Sequence, residues 1–155
     1  MAALRKQFLD AYDSDLLKTG SEGIHRSIQM ERDKEGMISG GVKSFRRNPA
    51  DARLVRDDGA WIHFTISVRP KDGTLELLAY DFEIVFPAGH APAFLRLDLN
   101  PEDHPNAGRE LRSHAHPGHD DIQIPAPVMT PEEILELMLR GLRARDPDKP
   151  RFVDT

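Results

Sequence analysis

The spacing of apolar residues predicts a helix at each end of the chain. Near the N-terminus, six apolar residues recur at helical spacing before Gly20, namely Leu4, Phe8, Leu9, Tyr12, Leu16 and Leu17. We predict a helix over residues 2–19. Near the C-terminus, Thr130-Pro131-Glu132-Glu133 has an N-cap residue, a proline at the first helical position and a glutamate at the capping-box position. This predicts a second helix that begins near Pro131 and ends at Asp146, followed by a loose tail over residues 146–155.

Between the two helices the pattern changes from helical spacing to alternation. Within residues 61–68 every second residue is apolar, which is typical of a half-buried strand. Turn signals at residues 70–73 and 87–90 separate this strand from further strands over residues 74–86 and 94–99. Short turns between successive strands favour antiparallel pairing, so we expect a meander of about four strands. The predicted fold class is α+β, as a single domain over residues 1–155. The pattern of residues 21–41 is ambiguous, and two interpretations stay open for part of it: a mobile arm, or a strand that pairs late.

Composition narrows the possible functions. Hydrophobic residues make up 39% of the chain and charged residues 30%, which is typical of a globular protein. Cysteine is absent from the sequence, which excludes disulfides, thiolate metal ligands and cysteine nucleophiles. Any metal must therefore be held by histidine and carboxylate side chains. No stretch approaches the roughly 20 apolar residues of a membrane span, so we expect a cytoplasmic protein without membrane contact.

The net charge of -5 argues against coating of nucleic acid by bulk electrostatics. Five basic residues nevertheless fall within one short stretch: Lys43, Arg46, Arg47, Arg53 and Arg56. The simplest interpretation is that they form a solvated face. The alternative is a local basic patch that contacts phosphate.

After Asn100 the sequence becomes polar and rich in proline, and we predict a long histidine-rich loop. Four of the seven histidines lie between His104 and His119. If the backbone is extended near His114, then His114 and His116 project from the same face. Two or three histidines with one carboxylate form the ligand set of catalytic zinc, iron or manganese centres. The candidate metal ligands are therefore His114, His116, His119 and Asp120.

A longer pattern follows the same segment. Residues 95–98 read Leu-Arg-Leu-Asp, Asn100 and His104-Pro105 come next, and an HxHxG motif spans His114 to Gly118 before a proline-containing strand and the final helix. In this order of motifs, roughly the last 60 residues resemble the TumE-type toxins of bacterial toxin–antitoxin pairs. The resemblance implies an effector that acts on nucleic acid or on the translation machinery.

A metal-independent ribonuclease needs a base, an acid and a cation near the phosphate, and histidine titrates near neutral pH. We predict His114 and His116 as the catalytic pair and Lys43, Arg46 and Arg47 as substrate-binding residues. This hypothesis needs no cofactor.

Two other functions stay open. The long loop and the acidic C-terminal helix would form a binding surface if the chain is a non-catalytic interaction protein, and we expect a protein partner alongside RNA as a possible ligand. A histidine and carboxylate metalloenzyme would instead need a divalent metal. Taken singly, His63 and His90 are interpreted as structural residues, and the histidines near His114 could simply hydrogen-bond the backbone.

Overall fold

The computed structural model describes residues 1–31, 36–42, 46–104 and 111–143. Lys43 and the predicted tail over residues 146–155 lie outside these ranges. The helices within them are α1 (Ala2–Asp13), α2 (Ser21–Ser27) and α3 (Pro131–Glu136), which continues as a π-helical turn (Leu137–Gly141). The strands are β1 (Ile28–Glu31), β2 (Met37–Gly40), β3 (Leu54–Val55), β4 (Trp61–Lys71), β5 (Thr74–Val85), β6 (Phe94–Leu99), β7 (Ser113–Pro117) and β8 (Ile124–Pro125). None of these helices is long and apolar enough to cross a membrane.

All eight strands belong to one antiparallel sheet with the order β1-β2-β4-β5-β6-β7-β8. The remaining strand, β3, pairs with β4. Two strands share one edge of β4, because β2 pairs with residues 64–67 and β3 pairs with residues 61–62. The long strands β4 and β5 therefore form the centre on which the shorter strands assemble.

One face of the sheet forms the main hydrophobic core with the helices. Phe64 of β4 stacks on Phe8 of α1 and on Phe82 of β5, with ring centroids 6.1 Å and 5.0 Å apart. Gly40 of β2 lies directly beside this ring, since a Cβ at position 40 would stand 2.1 Å from Phe64 Cε1. Burying aromatic rings of this size is the main source of stability for such a core. Buried residues of the C-terminal helix complete it: Ile134, Leu135, Met138 and Leu139.

The prediction of about four strands is wrong, because the described residues alone form a sheet of eight. Strands β4, β5 and β6 lie where alternation, for β4, and turn signals, for β5 and β6, predicted strands. The additional strands have only two to five residues. Alternation of apolar and polar residues is recognised over about four to eight residues, so strands this short give little or no signal. Strand β3 has two residues, and β8 has two residues of which one is Pro125.

The predicted histidine-rich loop is also wrong in part, because His114 and His116 lie in β7. Only small Ala115 separates the two histidines, so this segment lacks the apolar residues by which a strand is recognised. Pairing with β6 makes it a strand. At the N-terminus the predicted helix over residues 2–19 ends earlier, at Asp13, and α2 follows as a separate helix.

The C-terminal helix begins as predicted and ends on a buried arginine. The side chain of Thr130 accepts a hydrogen bond from the backbone N–H of Glu133, and the Glu133 carboxylate accepts one from the backbone N–H of Thr130. At the other end, Arg56 donates to the backbone carbonyls of Met138 and Leu142. Arg56 is 0% exposed and also pairs with Asp58. It is therefore part of the core and not of the predicted solvated or phosphate-binding basic face.

We predict that Arg56→Met lowers the free energy of unfolding by about 3 kcal/mol, because the two helix carbonyls lose a buried charged donor. The measurement is urea denaturation followed by circular dichroism. Arg53→Met is the matched control, since Arg53 donates to the carbonyls of Ala50 and Ala52 at an exposed position. Equal stability of the two variants would contradict a role for Arg56 in holding the C-terminal helix.

Candidate functional site

The face of the sheet opposite Phe64, which we call the polar face, carries two rows of ionisable side chains. Residues directly opposite one another on adjacent strands lie side by side on the same face. The register places His63, Glu83, Arg96 and His116 in one row across β4 to β7. The next row consists of Asp81, Asp98 and His114. Four successive strands thus bring acids, bases and cations to one place.

Asp98, His114 and His116 form the tightest group in these rows. The carboxylate oxygen Oδ2 of Asp98 lies 3.5 Å from His114 Nε2 and 3.2 Å from His116 Nε2. One ligand atom from each of the three residues lies within 4.8 Å of the other two. Two ligands held at about 2.1 Å from a tetrahedral metal are about 3.4 Å apart, which is close to both distances. The three side chains therefore fit a divalent metal ion.

Hydrogen bonding leaves both histidines with a nitrogen for a ligand. Nδ1 of His114 donates to the backbone carbonyl of Leu111 at 3.1 Å, so in the neutral ring Nε2 carries the lone pair. Histidines that bind a metal through one ring nitrogen commonly donate the other ring N–H to a backbone carbonyl in this way. Neither ring nitrogen of His116 makes a well-aligned hydrogen bond among the described residues, although the residue is 2% exposed and its Nε2 lies near the Asp98 carboxylate. Buried polar atoms without partners are costly, and a metal ion would remove that cost.

The electrostatics of the group also favour a bound cation. Burial and the neighbouring carboxylate of Asp81 raise the pKa of Asp98 above its ordinary value of 3.8, against the opposing effect of Arg96. Burial and the positive charge of Arg96 lower the pKa of His116 below its ordinary value of 6.5. Neutral imidazole is the form that binds metal. A divalent ion would in addition stabilise the ionised form of Asp98.

A chain of ion pairs connects this group to the rest of the polar face. Arg96 donates through Nε to Asp98 at 3.0 Å and through Nη1 to Asp120 at 2.7 Å. Arg47 donates to both oxygens of the Asp120 carboxylate, at 3.1 Å and 2.7 Å. These contacts with Arg47 and Arg96 lower the pKa of Asp120 below 3.8. Asp120 thus joins the two arginines.

The network continues from Arg47 into the sheet. Nε and Nη2 of Arg47 donate to Glu83 at 3.1 Å and 2.9 Å, and His63 Nε2 donates to the same carboxylate at 3.1 Å. The guanidinium of Arg47 also stacks on the Phe94 ring, with Cζ 3.4 Å from the centroid. The backbone of Arg47 has a φ of 47°, in a region that residues other than glycine rarely adopt. These contacts hold the side chain of Arg47 in place against that conformational cost.

The residues predicted as functional are partly brought together. His114 and His116 belong to the metal-fitting group, whereas His119 and Asp120 lie outside it. The side chain of His119 is 61% exposed, and its Nδ1 accepts the backbone N–H of Asp121. Of the predicted substrate-binding residues, Arg47 lies in the network, Arg46 is exposed and Lys43 falls outside the described residues.

Several residues of the polar face were not identified from the sequence. These are Asp98, which is the third member of the metal-fitting group, and its partner Arg96. Glu83, which accepts from Arg47, and His63, which pairs with Glu83, were also missed. A signal was present, because charged residues alternate with apolar ones in β5 and β6 as the histidines do in β7. Polar residues at every second position of three strands indicate a polar face, but only the strand register shows that they meet.

No family model, no curated protein and no solved structure matches this chain. The resemblance to TumE-type toxins therefore stays a prediction.

We predict that Glu83→Gln lowers the free energy of unfolding at pH 7 by about 2 kcal/mol, because buried hydrogen bonds to a charged acceptor are weakened. Burial raises the pKa of Glu83, but hydrogen bonds from His63 and Arg47 outweigh burial, and the pKa falls below its ordinary value of 4.5. The stabilisation is therefore complete above pH 4.5 and is lost as the pH falls through the lower folded-state value. Urea titrations between pH 7 and pH 3 should show the difference between the proteins shrinking.

The matched control is Glu76→Gln, since Glu76 pairs with Lys71 at the surface and its pKa is also lowered. Solvent screens an exposed pair, so this variant should unfold like the unmodified protein at every pH. A Glu83→Gln effect that does not change with pH would contradict the proposed ion pairing.

Proposed function

We propose that this chain is a divalent-metal-dependent hydrolase in which Asp98, His114 and His116 are the metal ligands. The observation that supports the proposal is the convergence of one ligand atom from each residue within 4.8 Å. Two histidines and one carboxylate leave coordination positions for water and substrate, as in known catalytic metal sites. A divalent metal held there would lower the pKa of a bound water molecule to about 7.

The chain's own residues would orient and tune this site. Leu111 fixes the ring of His114 through its carbonyl, which leaves Nε2 directed at Asp98. Arg96 donates to the ligand carboxylate of Asp98 and so holds it on the same side as the histidines. Loss of a contact that orients a ligand in this way typically weakens metal binding by about 10- to 100-fold.

The same geometry favours a metal site over an acid–base pair. In phosphoryl transfer the attacking and leaving oxygens lie on opposite sides of phosphorus, so the base and the acid must also lie on opposite sides. Here Nε2 of His114 and Nε2 of His116 both lie within 3.5 Å of one oxygen of Asp98. Two imidazole nitrogens that converge on one point are better suited to bind one metal ion than to act as base and acid on opposite sides of a phosphate. RNA cleavage by the histidine pair alone stays a prediction, and RNA is the first substrate to test.

A role as an interaction protein has one supporting observation of its own. Three large apolar side chains in and beside the edge strand β8 are exposed, namely Ile122 (50%), Ile124 (46%) and Val128 (65%). Exposed apolar residues on a strand edge are typical of surfaces that pair with another chain. Binding of a protein partner therefore stays a second proposal, and it is compatible with a metal site on the polar face.

We predict that the untagged protein binds about one equivalent of zinc, manganese or iron, because one three-residue group supplies the ligands. Elemental mass spectrometry after metal loading and desalting measures the content. His114→Ala should lose the metal. His119→Ala is the matched control and should keep it, since His119 is exposed and lies outside the group. A protein that retains no metal from any of these ions would rule out the proposed function.

Cleavage of a labelled single-stranded RNA distinguishes the two catalytic hypotheses. We expect cleavage to stop in EDTA and to return when the metal is restored, because the chelator removes the group that activates water. His114→Ala should be inactive while its circular dichroism spectrum is unchanged. Full cleavage in EDTA would instead support the metal-independent histidine pair, and it would contradict the metal-dependent mechanism.

A further inference from the structure

Two arginines of the polar face converge on a single carboxylate. Arg47 Nη2 and Arg96 Nη1 both lie 2.7 Å from Oδ1 of Asp120. Arginine forks match the oxygens of carboxylates and phosphates, so a pair of them directed at one point is an arrangement that binds oxyanions. The carboxylate of Asp120 occupies that point in this structure.

The carboxylate lies on the solvent side of the two arginines. The side chain of Asp120 is 54% exposed, whereas those of Arg47 and Arg96 are 18% and 20% exposed. The arginines are therefore nearly buried and the aspartate covers them. If Asp120 moved away, the two guanidinium groups would face the space that its carboxylate now fills.

Both arginines would stay in place without Asp120. Glu83 accepts from Nε and Nη2 of Arg47, and Asp98 accepts from Nε of Arg96. The Nη1 groups of both side chains donate to Asp120 and would become available to another anion. Donors that are already oriented bind a ligand with less loss of conformational freedom.

We propose that Arg47 and Arg96 form the binding site for a phosphate group of the substrate, and that Asp120 occupies this site until the phosphate displaces it. The proposal rests on the proposed function and names the chemical class of its substrate. A phosphate ester carries more negative charge than one carboxylate when it is a monoester, and it has more acceptor oxygens in every case. It is therefore the better partner for two guanidinium groups.

The position of this site relative to the metal-fitting group supports the assignment. Arg96 donates to Asp120 with Nη1 and to Asp98 with Nε. A phosphate in the place of the Asp120 carboxylate would be separated from the ligand carboxylate of Asp98 by one guanidinium group. Binding there would hold a phosphate ester beside the place where hydrolysis is proposed to occur.

The test is calorimetric titration with inorganic phosphate, at constant ionic strength because salt screens charged partners. Asp120→Asn removes the competing charge and should bind phosphate about tenfold more tightly than the unmodified protein, as expected if Asp120 occupies the site about nine-tenths of the time. Asp121→Asn is the matched control, since it removes the same charge from the next residue, whose side chain is 93% exposed. It should change the dissociation constant by less than about twofold, because exposed charges contribute little.

A second variant shows that any gain acts through the arginines. Adding Arg96→Gln to Asp120→Asn should abolish the tighter binding while circular dichroism confirms that the protein is folded. The proposal is overturned if Asp120→Asn and Asp121→Asn bind phosphate equally, or if Arg96→Gln leaves the gain intact. Repeating the titration with a single-stranded RNA oligonucleotide identifies the source of the phosphate. A gain for both ligands assigns the site to the RNA backbone, and a gain for inorganic phosphate alone assigns it to a phosphomonoester.

The titrations are made on protein treated with EDTA, so they do not depend on metal binding. A protein that holds one equivalent of metal but shows no gain in Asp120→Asn would refute the phosphate site alone. A metal-free protein that shows the gain would refute the proposed hydrolase and leave the phosphate site in place.

Discussion

Burial of charge on the polar face constrains the whole structure. A carboxylate removed from water needs a cation or several hydrogen-bond donors close to it. The Glu83 carboxylate accepts hydrogen bonds from Arg47 and His63. The Asp98 carboxylate accepts a hydrogen bond from Arg96 and has a raised pKa. The two acids differ because the positive charge is unevenly shared between them. The weaker compensation at Asp98 is what distinguishes the metal-fitting group from an ordinary ion-pair network.

The two faces of the sheet contribute differently: one to folding stability and the other to the candidate site. On one face, stacked aromatic rings and the helices provide apolar burial, which is the main driving force for folding. The opposite face buries less apolar surface and instead carries acids, histidines and arginines. A second apolar cluster, formed by Trp61, Val85 and Phe94, borders the polar rows. Because each strand presents both faces, one register determines the core and the candidate site together.

The sequence predicted the parts of the fold that carry a strong local signal. Alternation located β4, turn signals located β5 and β6, and the capping residues Thr130 and Glu133 located the start of α3. Short strands such as β3 and β8 have too few residues for a pattern, and they depend on pairing with long neighbours. The site followed the same rule. The histidines of β7 could be selected because they cluster in sequence, whereas Asp98 joins them only through pairing between β6 and β7.

The buried Arg56, in the turn between β3 and β4, sets a lower limit on how far the folding unit extends. Arg56 has acceptors at Met138 and Leu142, more than 80 residues away in sequence. The helix that carries them is too short to be stable in water by itself, so it depends on docking against the sheet. A chain shortened before Leu142 would leave a buried guanidinium facing an empty helix site. The folding unit therefore extends at least to Leu142, and any attempt to trim the protein to its sheet would remove a part of its core.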